Sequence, residues 1–478
     1  MWRNGLLVCA ISLGTLFAFG CAPNAAVSQA SVAEVTLTPD LSHPGRQIPA
    51  DFIGLSFETG LTLPNAKGEY YFSPDNAALI ATFKTLGIKS LRIGGNTSDT
   101  PTVPIPNSTD IDHVFGFARA VGIKVIYGLR LRNQTNPASD VKIASYIMSH
   151  YKDQLECMAV GNEPNIYAKK YPVYKALAAK FYAAILAAEP EAMFCGPETT
   201  ESKPEWSHDF TTDFGHSGHI RFLSQHYYAG KSARKVKTPE IGRDEILSPA
   251  FVAGYLKFYN VFGPTAVENR VPFRIDETNS FFNGGAKDVS DTQASALWAL
   301  DYMYWWAWHN TIGLNFHTGD NVAAADKLVP CRYAVYWTAP DGYNVHPIGY
   351  AIKAFSLGMG QLVPVKISDS ANLNLTAYAT LGEENDLNVT IINKEHGTAQ
   401  RGANVAIDVA GYGPAEVMYL AAPNGNVAAT SGVTLGGASI KDDASWDGQW
   451  AQLKPGEDGR VSVTVPAATA AVVRLQRQ

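Results

Sequence analysis

From Asp51 to about Gly360, short β-rich apolar runs alternate with longer segments whose apolar residues recur at the helical period. Strands are predicted at Phe52–Glu58, Ser90–Gly95, Lys124–Leu131, Leu155–Asn162, Ala192–Pro197, Ile220–Tyr228, Pro272–Glu277 and Gly313–His317. Between them, helices are predicted at Asn76–Leu86, Ile111–Val121, Ser139–Tyr151, Val173–Ala188, Pro249–Phe262 and Thr292–Trp308. Eight such units in about 310 residues have the size and rhythm of an α/β fold of the (β/α)8 TIM-barrel type. A doubly wound open sheet would carry a Gly-rich phosphate turn after an early strand, and Gly94-Gly95-Asn96 is not one.

From about Leu362 the helical period disappears. Strands at Leu373–Ala379, Asp386–Ile392, Val405–Val409, Glu416–Leu420, Val461–Val465 and Ala471–Leu475, separated by Gly, Asn and Pro turns, predict a C-terminal β-sandwich. Val32–Thr38 alternates in the same way and is expected to supply this sandwich with an extra strand. The expected organisation is therefore a signal segment over 1–30, a strand segment over 31–45, a catalytic barrel over 46–360 and a β-sandwich over 361–478. Trp446 and Trp450 in the tail are expected to pack structurally rather than to form a sugar platform.

The chain has 478 residues, 46% hydrophobic, 17% charged and 11% aromatic, which supplies a large core and excludes a disordered class. A net charge of −6 without runs of like charge argues against a nucleic-acid partner. Arg3, the apolar stretch Gly5–Gly20 and the small residues Ser28 and Ala30 form the layout of a secretory signal. The expectation is export to the periplasm or outside the cell, with lipidation of Cys21 as an alternative anchor. The apolar stretch is short of the ~20 residues a spanning helix needs, so no integral membrane span is expected. Three cysteines lie beyond the signal, Cys157, Cys195 and Cys331, with no CxxC pair, and neither a disulfide framework nor a zinc cluster is expected. The loosely spaced His216, His219 and His226 likewise suggest no metal site.

In a (β/α)8 barrel, chemistry gathers where the strands end. Acids near such ends are Glu58, Asp99, Glu163, Glu198, Glu277 and Asp320. Two stand out by their setting. Ala159-Val160-Gly161-Asn162-Glu163-Pro164 closes the fourth strand, and Pro164 is expected to push Glu163 toward an extended backbone. Phe273-Arg274-Ile275-Asp276-Glu277 closes the seventh, and strand alternation predicts Phe273, Ile275 and Glu277 on one face with Arg274 and Asp276 on the other. Carboxyls three strands apart on a closed ring can face each other across its mouth. A retaining glycosidase needs such a pair ~5–5.5 Å apart, one to attack the anomeric carbon and one to protonate the leaving oxygen.

Here the chain resembles the clan A glycoside hydrolases and, within them, family 79, the bacterial β-glucuronidases and relatives of heparanase. The motifs are Leu91-Arg92-Ile93-Gly94-Gly95-Asn96, Gly161-Asn162-Glu163-Pro164-Asn165, His226-Tyr227-Tyr228 and Asp276-Glu277-Thr278-Asn279-Ser280, in order across the barrel. The resemblance implies Glu163 as acid/base and Glu277 as nucleophile, in an exo-acting β-glucuronidase that is a monomer and uses no cofactor. It also implies that Asn162 bonds the sugar 2-hydroxyl, that His226 and Tyr228 border the sugar with Tyr228 orienting Glu277, and that Arg92 supports the nucleophile. Glu58, Gly95 and Asn96 are expected to meet sugar hydroxyls. The loop Asn283-Gly284-Gly285, followed by Lys287, is implied as the site for the sugar carboxylate, with Tyr343 and Asn344 closing the other side. Asp276 stands where many relatives have Gly, which leaves the local strand geometry open. Alternative functions are a clan A β-xylosidase or β-glucosidase on neutral sugars, or a non-catalytic glycan-binding barrel.

Overall fold

The computed structural model describes residues 32–324, 327–369, 371–456 and 459–478. The expected signal segment, with Cys9 and Cys21, lies outside the described residues. Strand β1 is Val32–Pro39, and eight parallel strands then close a barrel in chain order: β2 Ile53–Glu58, β3 Ser90–Gly94, β4 Lys124–Leu129, β5 Leu155–Val160, β6 Phe194–Thr199, β7 Ile220–Tyr228, β8 Phe273–Asn279 and β9 Thr311–His317. Pairing of β9 with β2 completes the ring. The helices around it are α1 Ala77–Leu86, α2 Ser108–Val121, α3 Ala138–Tyr151, α4 Tyr171–Ala188, α5 Glu205–Phe214, α6 Pro239–Leu247, α7 Pro249–Glu268, α8 Gln293–Trp308 and α9 Pro347–Leu357.

The local chemistry explains the boundaries. Asn76 caps α1 by accepting from Leu79 N, and Gly87 ends it at φ 78°, a left-handed conformation that glycine adopts without steric cost. Asn107 and Asp110 form a reciprocal capping box at the start of α2. Three helices were not foreseen. The helix α5 has a polar sequence, α6 is short, and α9 follows two hairpins rather than a strand.

Those hairpins, β10 Asn321–Ala324 with β11 Lys327–Pro330 and β12 Tyr336–Ala339 with β13 Gly342–Val345, rise from the end of β9. Beyond α9 come β14 Gln361–Val363, β15 Val365–Asp369, β16 Leu375–Leu381, β17 Leu387–Asn393, β18 Gly402–Ile407, β19 Tyr412–Ala421, β20 Thr434–Leu435, β21 Ala451–Leu453, β22 Val461–Val465 and β23 Thr469–Arg477. One sheet has the order β15-β1-β18-β22, so β1 sits between β15 and β18; the other runs β14-β16-β17-β23-β19-β20, with β21 on β19. The two sheets enclose a core that includes Leu37, Val389, Ile391, Val405, Val463 and Val473. The fold is thus a TIM barrel followed by a β-sandwich.

The helix α8 is buried on nearly every side because it lies between barrel and sandwich. Its Asp301 accepts from Lys394 Nζ at 2.7 Å, Tyr378 Oη at 2.7 Å and Thr376 Oγ1 at 2.8 Å, which ties the two units with a satisfied buried charge. Trp446 donates to Leu435 O and lies under Lys353, as expected of a packing residue. Cys157, Cys195 and Cys331 are free and buried. Among the described residues no helix is long and apolar enough to cross a membrane.

One half of the barrel floor is filled by Ile126, Cys157, Ala159, Cys195 and Phe222. Above that apolar layer the interior turns polar, and that change of character positions the site.

Candidate active site

Arg92 on β3 points inward and is almost wholly buried. It donates from Nη1 to Glu277 Oε2 at 2.6 Å and from Nη2 to Glu198 Oε2 at 2.6 Å and Asn162 Oδ1 at 2.9 Å. Burial opposes the guanidinium charge, but Glu198, Glu277 and Asp276 outweigh it and hold the group above its ordinary range. The guanidinium is the hub to which the mouth side chains are fixed.

Glu277 lies at the rim of this hub. Burial pushes its carboxyl up, but the charges of His317, His226 and Arg92 and the hydroxyl of Tyr228, which donates to Oε1 at 2.9 Å, bring it down to about 2. It is therefore ionised at neutral pH. His226 donates from Nδ1 to Glu163 Oε1 at 3.2 Å and from Nε2 to Glu198 Oε2 at 3.1 Å. Burial disfavours its charge, but the Glu277 carboxylate and these two bonds raise it well above the usual imidazole range. Carboxylate oxygens of Glu163 and Glu277 and a ring nitrogen of His226 all lie within 4.8 Å of one another.

Beneath them Asp276 and Glu198 hydrogen-bond carboxyl to carboxyl. Neither Asp276 oxygen, nor Oε1 of Glu198, receives a hydrogen from any group other than this partner. Two acceptors in contact need a proton between them. Burial and the Glu198 charge raise Asp276 well above the carboxylate range, whereas Arg92 overcomes burial and holds Glu198 well below it. The proton therefore sits on Asp276.

Two predicted local conformations are corrected here. Asp276 and Glu277 do not take opposite faces, for both approach Arg92, at 3.7 and 2.6 Å. Register shifts in the pairing of β8 with both β7 and β9 break the alternation, so Glu277 turns inward where the period of two would have sent it out beside Phe273 and Ile275. Glu163 is not extended; it adopts φ 47°, ψ 52°, in the left-handed region. Its N–H donates to Glu198 O at 2.8 Å and its carbonyl accepts from Ile166 N at 2.9 Å, and these bonds over-determine a conformation that strains a non-glycine residue.

A cleft of about 570 Å3 opens over this cluster, lined among others by Asn96, Glu163, Tyr228, Glu277, Asn283, Gly284, His317 and Tyr333. Asn162 is held by two bonds, Arg92 to its side chain and its own N–H to Asp99 Oδ2 at 2.9 Å. Asp99 also accepts from Leu131 N, Arg132 N and Tyr167 Oη, so this strand-end acid builds the loops around Asn162.

Four expected substrate residues lie elsewhere. Both oxygens of Glu58 are taken by protein, Oε2 by Thr97 N and Oγ1, and Oε1 by Ala323 N. Gly95, at φ 69°, packs so closely on that carboxylate that a Cβ would lie 2.5 Å from Glu58 Oε2. Gly285 lines the neighbouring groove beside Lys237 rather than the cleft. Tyr343 is packed against Tyr71 and Tyr336, and its hydroxyl accepts from Asn76 Nδ2 at 2.8 Å, because the hairpin β12–β13 carries it to the start of α1. Asn344 bonds Asp442, and Lys287 is exposed beside Asp288. Residues that sequence reasoning missed include His317, the last residue of β9, whose Nδ1 is 3.9 Å from Glu277 Oε2, and Tyr333 in the segment beyond it; neither lies in one of the motifs that marked the fourth and seventh strands.

Two sets of side chains, Glu163–His226–Glu277 and Glu198–His226–Asp276, bring ligand-type atoms within 4.8 Å. Arg92 Nη2 lies 3.1 Å from His226 Nε2 and 2.6 Å from Glu198, so a fixed cation already occupies the centre that a metal would share.

Comparison with known proteins agrees with this architecture. Residues 377–472 match the model of the glycosyl hydrolase family 79 C-terminal β domain. A β-glucuronidase of Aspergillus niger is 21% identical over 459 residues, covering 80% of this chain and 83% of that protein. A 4-O-α-L-rhamnosyl-β-D-glucuronidase from Fusarium oxysporum superposes with a TM-score of 0.66 at 18% identity, covering 92% of this chain and 99% of the other. A family 51 arabinofuranosidase from Xanthomonas axonopodis superposes with the same score at 14% identity, over 93% and 100% of the two chains, so the superposition speaks for the fold alone. Residues 377–472 thus resemble the family 79 C-terminal β domain, and the barrel with paired mouth carboxyls that packs on it has the fold of glycoside hydrolases.

Proposed function

We propose that the protein is a retaining exo-β-glucuronidase, removing terminal β-linked glucuronic acid by double displacement. The observation that carries the reading is the approach of Glu163 and Glu277, whose carboxylate oxygens lie within 4.8 Å in one cleft. An inverting pair needs roughly 6.5–9.5 Å to admit a water, and a retaining pair ~5–5.5 Å. The Glu277 carboxylate attacks the anomeric carbon while the glycosidic C–O bond breaks and the Glu163 proton passes to the leaving oxygen. Water then attacks the same carbon, gives its proton to Glu163, and the bond to Glu277 breaks. Asn162, pinned by Arg92 and Asp99, is poised for the 2-hydroxyl, where a hydrogen bond strengthens in the transition state.

The hairpin β10–β11 supports exo action. Ala323 N bonds Glu58, Ala323 O accepts from Asn96 Nδ2, and a Cβ on Gly284 would meet Val329 Cγ2 at 2.6 Å. The hairpin thus closes the Gly284 end of the cleft, where a second sugar would otherwise extend. Gly284, at φ 83° and without a side chain, brings bare backbone to that wall, which suits a sugar carboxylate. The amino-terminal signal pattern supports an exported enzyme.

The test is hydrolysis of an aryl β-glucuronide. Glu277→Gln and Glu163→Gln are each expected to lower kcat/KM by at least about 10³-fold, and azide should yield the α-glycosyl azide from Glu277→Gly. Full turnover by either Gln variant, or faster wild-type cleavage of neutral aryl glycosides than of glucuronides, would overturn the assignment.

A further inference from the structure

Asp140, in the first turn of α3, is 1% exposed, and Tyr127, on β4 against Phe115 of α2, is 2% exposed. Neither carboxylate oxygen of Asp140, nor the Tyr127 hydroxyl, has a hydrogen-bond partner among the described residues. Both side chains line one small cavity, together with Thr59, Ser98 and Arg130. At about 10 Å3 it has room for a single group the size of a water molecule.

The walls of this cavity are short of donors. The Thr59 and Ser98 hydroxyls donate to Gly94 O and Gly95 O, at 3.0 and 2.8 Å, which leaves them only lone pairs to offer. Arg130 is drawn off to Ser98 O and Val103 O, at 2.6 and 2.7 Å. The charges are uneven as well. Asp99 and Arg130 act on Asp140, and Asp110 and Asp140 act on Tyr127, so three carboxyls face one guanidinium. Burial and Asp99 raise Asp140 to about 7 against the pull of Arg130. What such a buried acid lacks is a positively charged hydrogen-bond donor.

The cavity also has an approach. Ile105, Pro106 and Ile143 line it, and the same three side chains line an outer groove of about 460 Å3 between α2 and α3. Ile111 and Tyr146 extend the apolar surface of that groove, and Lys142 stands exposed at its edge. Apolar walls outside and an unpaired acid within complement a molecule that is apolar at one end and cationic at the other.

We propose that Asp140 and Tyr127 form a binding site for a primary ammonium group carried on an apolar body, with the ammonium in the inner cavity and the body in the groove between α2 and α3. The ammonium donates to the Asp140 carboxylate and to Tyr127 Oη, and its charge balances the excess of carboxyls. None of the residues lining the cavity or the groove lines the cleft over Glu163 and Glu277. The site therefore goes beyond the hydrolysis proposed above and does not depend on it.

The experiment is calorimetric titration of the full chain with benzylamine and with benzyl alcohol at pH 8, above the Asp140 value of about 7. The wild type should bind the amine at least about tenfold more tightly than the alcohol, the worth of one hydrogen bond between charged partners. Asp140→Asn should weaken amine binding by about tenfold or more and alcohol binding by less. Tyr127→Phe, which removes one neutral acceptor, should weaken amine binding only a few-fold. Equal binding of benzylamine by wild type and Asp140→Asn would place the amine elsewhere, at the carboxyls of the cleft for example, and would overturn the proposal. So would a wild type that shows no saturable binding up to about 10 mM benzylamine.

Discussion

The contact between Tyr228 and Glu277 offers the cleanest test of how Glu277, the proposed nucleophile, is kept ionised. Tyr228→Phe removes one hydroxyl and leaves the ring among Phe282 and Tyr333, so the cleft keeps its shape. The lost bond, 2.9 Å from Oη to Glu277 Oε1, has a charged acceptor in a buried site. Such bonds contribute about 1.5–3 kcal/mol. At 1.36 kcal/mol per pKa unit that is a rise of roughly one to two units. The sign follows from the donor: it favours the carboxylate, so its removal favours the acid. Glu277 should move from about 2 to roughly 3–4, which brings its titration into the range where activity can be measured. The assay is kcat/KM for an aryl β-glucuronide from about pH 3 upward, since this parameter reports the ionisations of the free enzyme. The variant should lose activity progressively toward acid, approaching tenfold per pH unit below its new pKa. A uniform loss at every pH would mean that Tyr228 acts as a wall, and an unmoved acid limb would refute its role in ionising Glu277.

Two further substitutions probe other buried carboxyls. Asp140, in the first turn of α3, is buried with both oxygens unpartnered, and burial and Asp99 raise it from 3.8 to about 7. A folded pKa above the unfolded one makes the associated stability full below pH ~4 and lost as pH rises through about 7. Three units correspond to about 4 kcal/mol, of which the α3 N-terminus offsets up to about 1. Asp140→Asn should therefore unfold with a free energy greater than wild type by about 3 kcal/mol at pH 8 and by almost nothing at pH 4. Equal stabilities in denaturant at both pH values would refute this. For the shared proton, Asp276→Asn keeps a neutral donor toward Glu198 and should shift stability by about 1 kcal/mol or less, while Glu198→Gln strips Arg92 of a partner at 2.6 Å and should lose about 3–5 kcal/mol. Equal losses in thermal or urea unfolding would mean that Asp276 is ionised.

The barrel was legible because its strands are buried on both faces. Lys-Val-Ile-Tyr-Gly-Leu of β4 and Leu-Glu-Cys-Met-Ala-Val of β5 read as near-continuous apolar runs between amphipathic helices, the mark of a parallel sheet covered on both faces, and the count of eight such units pointed to its closure. What one sequence could not separate was the use to which each strand-end acid is put. Glu58 and Glu277 both close barrel strands, yet one clamps the Thr97 and Ala323 loops and the other faces the cleft. The difference is made by partners 39 and 265 residues away in the first case and 49 and 185 in the second, separations over which local pattern carries no signal. Tyr343 failed for the same reason, since the hairpin that carries it away from the mouth leaves no mark in its own residues.

The β8 strand shows why periodicity misplaced Glu277, which lines the cleft. A period of two, applied from Phe273 and Ile275, would bury Glu277 among the helices, where an unpaired carboxylate of this kind is prohibitive. The chain escapes by slipping register against both neighbours, and what makes the slip favourable is the polar layer inside the barrel: Arg92 can satisfy Glu277 and Glu198 together, and Asp276 then fits beside Arg92 only as the neutral acid. The bulge and the protonation of Asp276 are thus one solution to one problem, how to hold three carboxyls around a single guanidinium. It follows that Asp276 is not a passive spacer. Through its proton it leaves the Arg92 charge free to hold Glu277, and an ionised Asp276 would compete for that charge.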